Sequence, residues 1–294
     1  RDSIIGINSA KYATIGGNFI PSENIGEVLN QGIDACVNWN DKVGEDFTYN
    51  LGLNITFTKN KLRKTNELSN IEDYRKSIGQ PTSAIFGWQS QGLFGKDVAI
   101  AGHPFQSFGN YQVGDIAYAD LNNDGMVDNN DQTRIGQSFP KTTLGVDVTL
   151  NYKGFGLYIL GTATTGVTQM LTSTYYWNKG LDGYSVLAED RYHPVNNPTG
   201  TQPRLTTTSG VNNYRNSTFW TKNGSFFRLK NVELSYTLNN NSKKGIGKNY
   251  KFFVRGANLF VLSGIKELDP EQMLAGISNY PVYRTITGGV SINF

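Results

Sequence analysis

The sequence predicts an all-β fold: an antiparallel transmembrane β-barrel segment with long loops on one side. Three observations carry this. Period-two alternation recurs in seven segments, the connections alternate short and long, and aromatic residues gather beside the short connections.

Alternation puts one set of side chains on each face of a strand. In 47–58, Phe47, Tyr49, Leu51, Leu53, Ile55 and Phe57 share one face, and Thr48, Asn50, Gly52, Asn54, Thr56 and Thr58 the other. Ahead of it, Ile33, Ala35, Val37 and Trp39 oppose Asp34, Asn38 and Asn40. A third strand sets Leu144, Val146, Val148, Leu150 and Tyr152 against Thr143, Asp147, Thr149 and Asn151. A fourth runs from Phe155 through Leu157 and Ile159 to Ala163. A fifth has Val232, Leu234, Tyr236 and Leu238 against Asn231, Glu233, Ser235 and Thr237. A sixth starts at Tyr250 with Phe252 and Val254, and the last holds Val290, Ile292 and Phe294. Each approaches the roughly ten residues that a tilted membrane strand needs.

The connections near 41–46, 152–155 and 239–249 are short, whereas 60–141, 167–224 and 263–282 are long. Outer-membrane barrels have short periplasmic turns and long extracellular loops. The predicted layout is therefore an extracellular loop remnant at 1–27 and hairpins at 28–59, 142–166 and 225–262, closed by a strand at 283–294. The C-terminus falls in the periplasm. Single-chain bacterial barrels have even strand counts, so seven strands imply further strands upstream. Trp39, Phe47, Tyr49, Tyr152, Phe155, Tyr236, Tyr250 and Phe252 flank the short turns, as an interfacial girdle should. Hairpin-end aromatics of a soluble β domain would read the same way.

Composition agrees. Apolar residues make up only 38%, and no run approaches the ~18 that a membrane helix needs. A barrel wall is compatible, because alternating strands are only half apolar. The net charge of +3 comes without a basic run, so nucleic acid is not an expected partner. Cys36 is the single cysteine, which excludes an internal disulfide. It reads as a small strand residue. The opening Arg1-Asp2-Ser3 lacks a charged n-region and an apolar h-region, so no signal peptide is expected within these residues.

One motif carries chemistry. Asp120, Asn122, Asp124, Asp128 and Asp131 fall at positions 1, 3, 5, 9 and 12 of a calcium-type loop, with the Met126 carbonyl at position 7 and Gly125 at the sharp turn. The last ligand is Asp rather than Glu, which favours weaker binding. No amphipathic helices flank it, so the expected role is a structural Ca2+ pinning a long loop. A solvated Asp/Asn turn is the alternative. His103 and His193 have no metal-ligand spacing, and neither a nucleophile elbow nor a phosphate loop appears. The chain therefore reads as non-enzymatic. Trp88, Tyr175, Tyr176, Trp177 and Trp220 lie in or beside the long loops. They are candidates for stacking on sugar or packing under a peptide, or simply for loop packing.

Asn24-Ile-Gly-Glu-Val28 with Asn30-Gln-Gly32 resembles the entry into a barrel strand in the SusC/RagA family of TonB-dependent outer-membrane transporters. Gly114-Asp115-Ile116, Tyr118, 120–131 and Ile135-Gly136 follow in the family order. So do Pro140-Lys141, Tyr152-Lys-Gly-Phe155, Phe219-Trp220, Phe227 to Val232 and Tyr236-Thr-Leu238. Asn258-Leu-Phe260, Leu268-Asp-Pro-Glu271, Tyr280-Pro281 and Arg284-Thr285 complete the series. Asn123 departs from the family, which often has Gly there. The resemblance implies a 22-stranded barrel, of which these strands are the last third. It also implies an N-terminal plug and TonB box upstream, and a SusD-like lipoprotein lid over the loops. Oligosaccharide is the implied nutrient, with peptide second. Val290, Ile292 and Phe294 resemble the C-terminal signature read by the barrel-assembly machinery, at the boundary with outer-membrane lipid. A siderophore or corrinoid receptor, and a soluble calcium-stabilised β surface or adhesion module, are the competing readings.

Overall fold

The computed structural model describes residues 2–8, 22–68, 70–180, 183–206, 212–239, 249–272, 280 and 282–293. The chain opens with β1 (Asp2–Asn8), β2 (Ser22–Val43) and β3 (Phe47–Lys64). The first long loop carries β4 (Ala84–Gly87), β5 (Ser90–Leu93), β6 (Phe105–Gln106), β7 (Ile116–Tyr118), β8 (Met126–Val127) and β9 (Thr133–Gln137). A hairpin follows, β10 (Thr142–Tyr152) and β11 (Phe155–Thr165). The second long loop holds β12 (Thr168–Met170) and β13 (Thr221–Asn223). The chain then runs through β14 (Phe226–Asn239), β15 (Asn249–Ser263) and β16 (Thr285–Asn293).

Eight of these strands form one antiparallel sheet in the order β1-β2-β3-β10-β11-β14-β15-β16. The sequence predicted seven. The addition is β1, inside the stretch read as a loop remnant, where Asp2–Asn8 pairs with Ser22–Leu29 of β2. Its alternation is hidden because Ile4 and Ile5 are adjacent, and its register slips between Ile5 and Ile7. Such a bulge breaks the two-residue period that sequence reading relies on. For the same reason β2 begins at Ser22 rather than 28, and β3 continues to Lys64.

Cross-strand register turns the alternation into two faces. On the outer face, Trp39, Leu51, Val148, Ile159, Val232, Gly256 and Ile286 form one unbroken row over seven strands. Two rows towards the turns lie Val43, Phe47, Tyr152, Phe155, Tyr236, Phe252 and Val290. This second row is the aromatic girdle, with the Phe155 and Tyr236 rings 4.6 Å apart. Leu51, Leu53, Ile55 and Phe57 are 37–44% exposed, so among the described residues no second layer covers this face. A soluble sandwich would bury it. From Phe47 to Phe57 the band spans about 34 Å of strand, or about 26 Å along the axis of a barrel tilted by ~40°. That matches the apolar belt of an outer-membrane barrel, about 25 Å tall.

The inner face is polar. Asn40, Asn50, Thr149, Tyr158, Glu233, Arg255 and Thr287 form one row, and Cys36, Asn54, Gly145, Thr162 and Arg228 another. Arg228 and Glu233 are five positions apart and would face opposite ways on a regular strand. The register shift at Leu229/Asn231 puts both inside and keeps Phe227 and Leu229 outside.

The long loops make a second body with its own core. Trp88, Leu93, Phe108, Ile116, Tyr118 and Val127 of the first loop pack on Leu171, Tyr176, Tyr192 and Trp220 of the second and on Ile265 of the third. The first two loops are stitched along Trp88, whose amide donates to the Asn216 carbonyl (3.0 Å) while its carbonyl accepts from Thr218 (3.0 Å). Gly87 permits this approach: a Cβ there would lie 2.1 Å from the Asn216 carbonyl oxygen.

Candidate functional site: the loop body and the inner wall

The five candidate stacking aromatics come together, but as the loop core rather than as an open platform. Trp88, Tyr176 and Trp220 are 2–6% exposed, and Tyr175 and Trp177 pack partly buried against them. Three of the buried polar edges have a partner, as burial favours, while Trp177 Nε1 is buried without one among the described residues. Trp88 Nε1 donates to the Asp128 carbonyl at 2.7 Å, Trp220 Nε1 to the Asn213 carbonyl at 2.7 Å, and Tyr176 OH to Glu267 at 3.4 Å. Trp88, Tyr176 and Trp220 are thereby covered by protein and serve loop packing, whereas Tyr175 and Trp177 keep part of their surface open.

Beneath them runs a buried polar network between the loops. Asp115 is 1% exposed; it accepts from Asn213 Nδ2 at 2.8 Å and pairs with Arg204 at 2.8 Å. Gln106 donates to Asn212 Oδ1 (2.6 Å) and accepts from the Tyr118 amide (2.7 Å). Burial raises the Tyr118 phenol, and pushes that of Tyr214 up to about 12. Buried hydrogen-bonded networks of this kind favour one arrangement of their elements.

The 120–131 loop folds on its own hydrogen bonds. Asp120 accepts from the Asn123 (2.7 Å) and Gly125 (2.9 Å) amides, and Asp124 from that of Met126 (2.9 Å). Asp128 accepts from Asn130 (2.6 Å), and the Asn122 side chain from the Asp124 amide (3.1 Å). Asp131 is fully buried and accepts from the Leu121 and Asp128 amides, each at 2.7 Å. Among the described residues no three acidic, His or Cys side chains converge as a metal cage. The carboxylates face backbone donors rather than one another, so this arrangement does not fit the calcium ligand set that the spacing implies. Asn123 stands at φ 59°. Gly and Asn are the residues that tolerate this left-handed backbone best, so the family's Gly and this Asn serve one turn.

Of the terminal residues, Val290 and Ile292 lie on the outer face, 56% and 43% exposed. Phe294 falls outside the described residues.

Two charged clusters were not singled out in the sequence. On the inner wall, Glu233 accepts from Lys251 (2.7 Å) and Arg255 (2.8 Å). Where the third loop meets the wall, Arg228 Nη2 contacts both oxygens of Asp269 at 2.7 Å, with Glu271 3.5 Å from Nε. The signal for the second was the Leu268-Asp-Pro-Glu271 stretch, which carries no stated role in the sequence alone.

A sheet that is apolar outside, polar inside and topped by packed loops defines a segment of a transmembrane β-barrel. No protein-family model matches the chain. TonB-dependent receptor P26 of Formosa agariphila is 27% identical over 298 residues, covering 92% of this chain and 30% of that receptor. The TonB-dependent receptor SusC of Bacteroides thetaiotaomicron is 26% identical over 303 residues, covering 98% and 29%. A structure of the RagAB peptide importer in its open-open state superposes with a TM-score of 0.72 at 18% identity, covering 99% of this chain and 31% of that one. The chain thus spans about 30% of the length of the relatives it matches. It is similar to the C-terminal part of TonB-dependent receptors, SusC among them, and its fold is that of a SusC/RagA-like barrel portion.

Proposed function

We propose that this chain forms the C-terminal wall and loop body of an outer-membrane importer that takes up a nutrient under TonB control. Oligosaccharide is the first candidate cargo and peptide the second. The observation that carries this is the continuous two-faced wall, with its apolar band about 26 Å tall and polar inner rows. Similarity to TonB-dependent receptors supports the energy source, and similarity to SusC supports a SusD-like lipoprotein seated on the loops. In this reading the short turns and the C-terminus face the periplasm. TonB acts through the N-terminal part of the protein, and the wall guides cargo without chemistry. For 120–131 the geometry supports a hydrogen-bonded turn, and Ca2+ is the ion its sequence spacing would take.

The test is extraction from native membranes in mild detergent, with intact masses of every co-purifying chain. A lipoprotein in stoichiometric amount is the expected result. A monomer soluble without detergent overturns the reading. Uptake assays with defined oligosaccharides and peptides, in cells with and without TonB, then decide the cargo.

A further inference from the structure

The upper edge of the apolar band holds a cavity that transport does not account for. Outward from Phe57 the outer face of β3 changes character, with Lys59 and then Lys61 in place of apolar residues. Beside this step, where β10 has not yet begun, lies a cavity of about 410 Å³. Its floor has two exposed rings, Phe57 (44%) and Phe139 (61%). Its walls carry Lys59, Arg134 and Lys141, and no Asp or Glu lines it.

The arginine is held rather than neutralised. Arg134 Nη1 donates to Gln80 Oε1 (2.8 Å) and Nη2 to Gln137 Oε1 (3.0 Å). Both acceptors are neutral amides, so the guanidinium keeps its full charge in a fixed place. Gln137 is only 7% exposed. Its own amide donates to the Phe139 (3.0 Å) and Gly166 (2.9 Å) carbonyls, which pins the segment bearing Phe139 and Lys141. A buried amide that orients one cation and anchors the segment bearing another is built architecture, unlike a scatter of surface lysines. Fixed guanidinium groups suit phosphate oxygens.

We propose that this cavity binds the phosphate headgroup of an anionic membrane lipid, with Arg134, Lys141 and Lys59 on the phosphate and Phe57 and Phe139 against the first acyl carbons. Charge complementarity selects the phosphate, and the position at the band edge selects a lipid over a soluble anion. Interfacial cations each contribute to anionic lipid attraction at the level of about a fivefold change in affinity. The proposal concerns the wall and its lipid, so it stands or falls independently of cargo and partner.

The test uses the intact, delipidated transporter in detergent, with short-chain phosphatidylglycerol, phosphatidylcholine of equal chain length, and inorganic phosphate as probes. Binding is read by native mass spectrometry. Wild type is expected to prefer phosphatidylglycerol by tenfold or more. Arg134→Gln with Lys141→Gln should reduce that binding about 25-fold (fivefold for each cation), while Lys141→Arg retains it. Unchanged heat-modifiability on gels shows that the variants are folded. Equal binding of the two lipids overturns the proposal. So does inorganic phosphate that displaces phosphatidylglycerol at equal concentration, which would make this a soluble-anion site.

Discussion

Replacing Asp269 with Asn should release the third loop from the wall without unfolding either. Asp269 receives a two-point contact at 2.7 Å from Arg228, whose side chain is 4% exposed against 18% for Asp269. Breaking one partner out of a buried pair costs about 3–5 kcal/mol, because the other charge is stranded. Here Glu271 remains at 3.5 Å and Asp269 is partly wet, which lowers the expected cost to about 2–3 kcal/mol. The loop keeps its buried Ile265 and the Lys222–Glu267 contact, so the loss appears as local opening. Amide hydrogen exchange across 264–272 of the intact protein should accelerate about 30- to 150-fold, since every ~1.4 kcal/mol is tenfold. Exchange over β11 and β14 should stay as in wild type. A double variant, Arg228→Met with Asp269→Leu, should recover much of the protection, because it leaves no stranded charge. Exchange within threefold of wild type in Asp269→Asn would refute the latch.

Trp220→Ala should cost the loop body about 3–5 kcal/mol through its cavity and the lost bond to Asn213. Rapid proteolysis in 65–141 and 166–225 is the expected sign, whereas loops that stay resistant while uptake falls would restore Trp220 as a cargo platform. Asp190 is held below the usual carboxylate range, first by the Thr201 hydroxyl, despite the opposing effect of its slight burial. Its contribution is present above the unfolded value of about 3.9 and is lost as pH falls through the lower folded one. Pepsin nicking near 190–202 should therefore rise on acidification towards pH 3, and Asp190→Asn should abolish that dependence. Millimolar Ca2+ should leave the protease resistance of 120–131 unchanged if the turn is held by its own hydrogen bonds. Protection by Ca2+, lost in Asp124→Ala, would favour the ligand set read from the spacing.

The wall was legible because a strand half in lipid and half in water writes a two-residue period into its sequence. The girdle row was legible too, since Phe47, Tyr152, Phe155, Tyr236 and Phe252 neighbour the short turns along the chain as well as in space. β1 escaped because Ile4-Ile5 and its bulge erase the period. The loop body escaped for a different reason. Trp88, Tyr118, Trp220 and Ile265 share a core but no periodicity, as they arrive from irregular backbone in separate loops. Aromatic content alone therefore could not separate a platform from a core. The Asp-rich motif was visible in type and spacing, yet its carboxylates turn to local amides, which spacing does not determine.

The common core of the loops dictates an order of events. Trp88 and Ile265 lie 177 positions apart (265 − 88) and meet in one cluster. Contacts this distant form slowly, because the intervening chain must be closed first. The loops also hang from β3, β10, β11, β14 and β15 in turn, so their meeting point exists only after those strands have paired in register. Until then each loop exposes its own share of the core. The cap is thus the last part to mature, and loop exchanges between relatives should succeed only when all three are moved together.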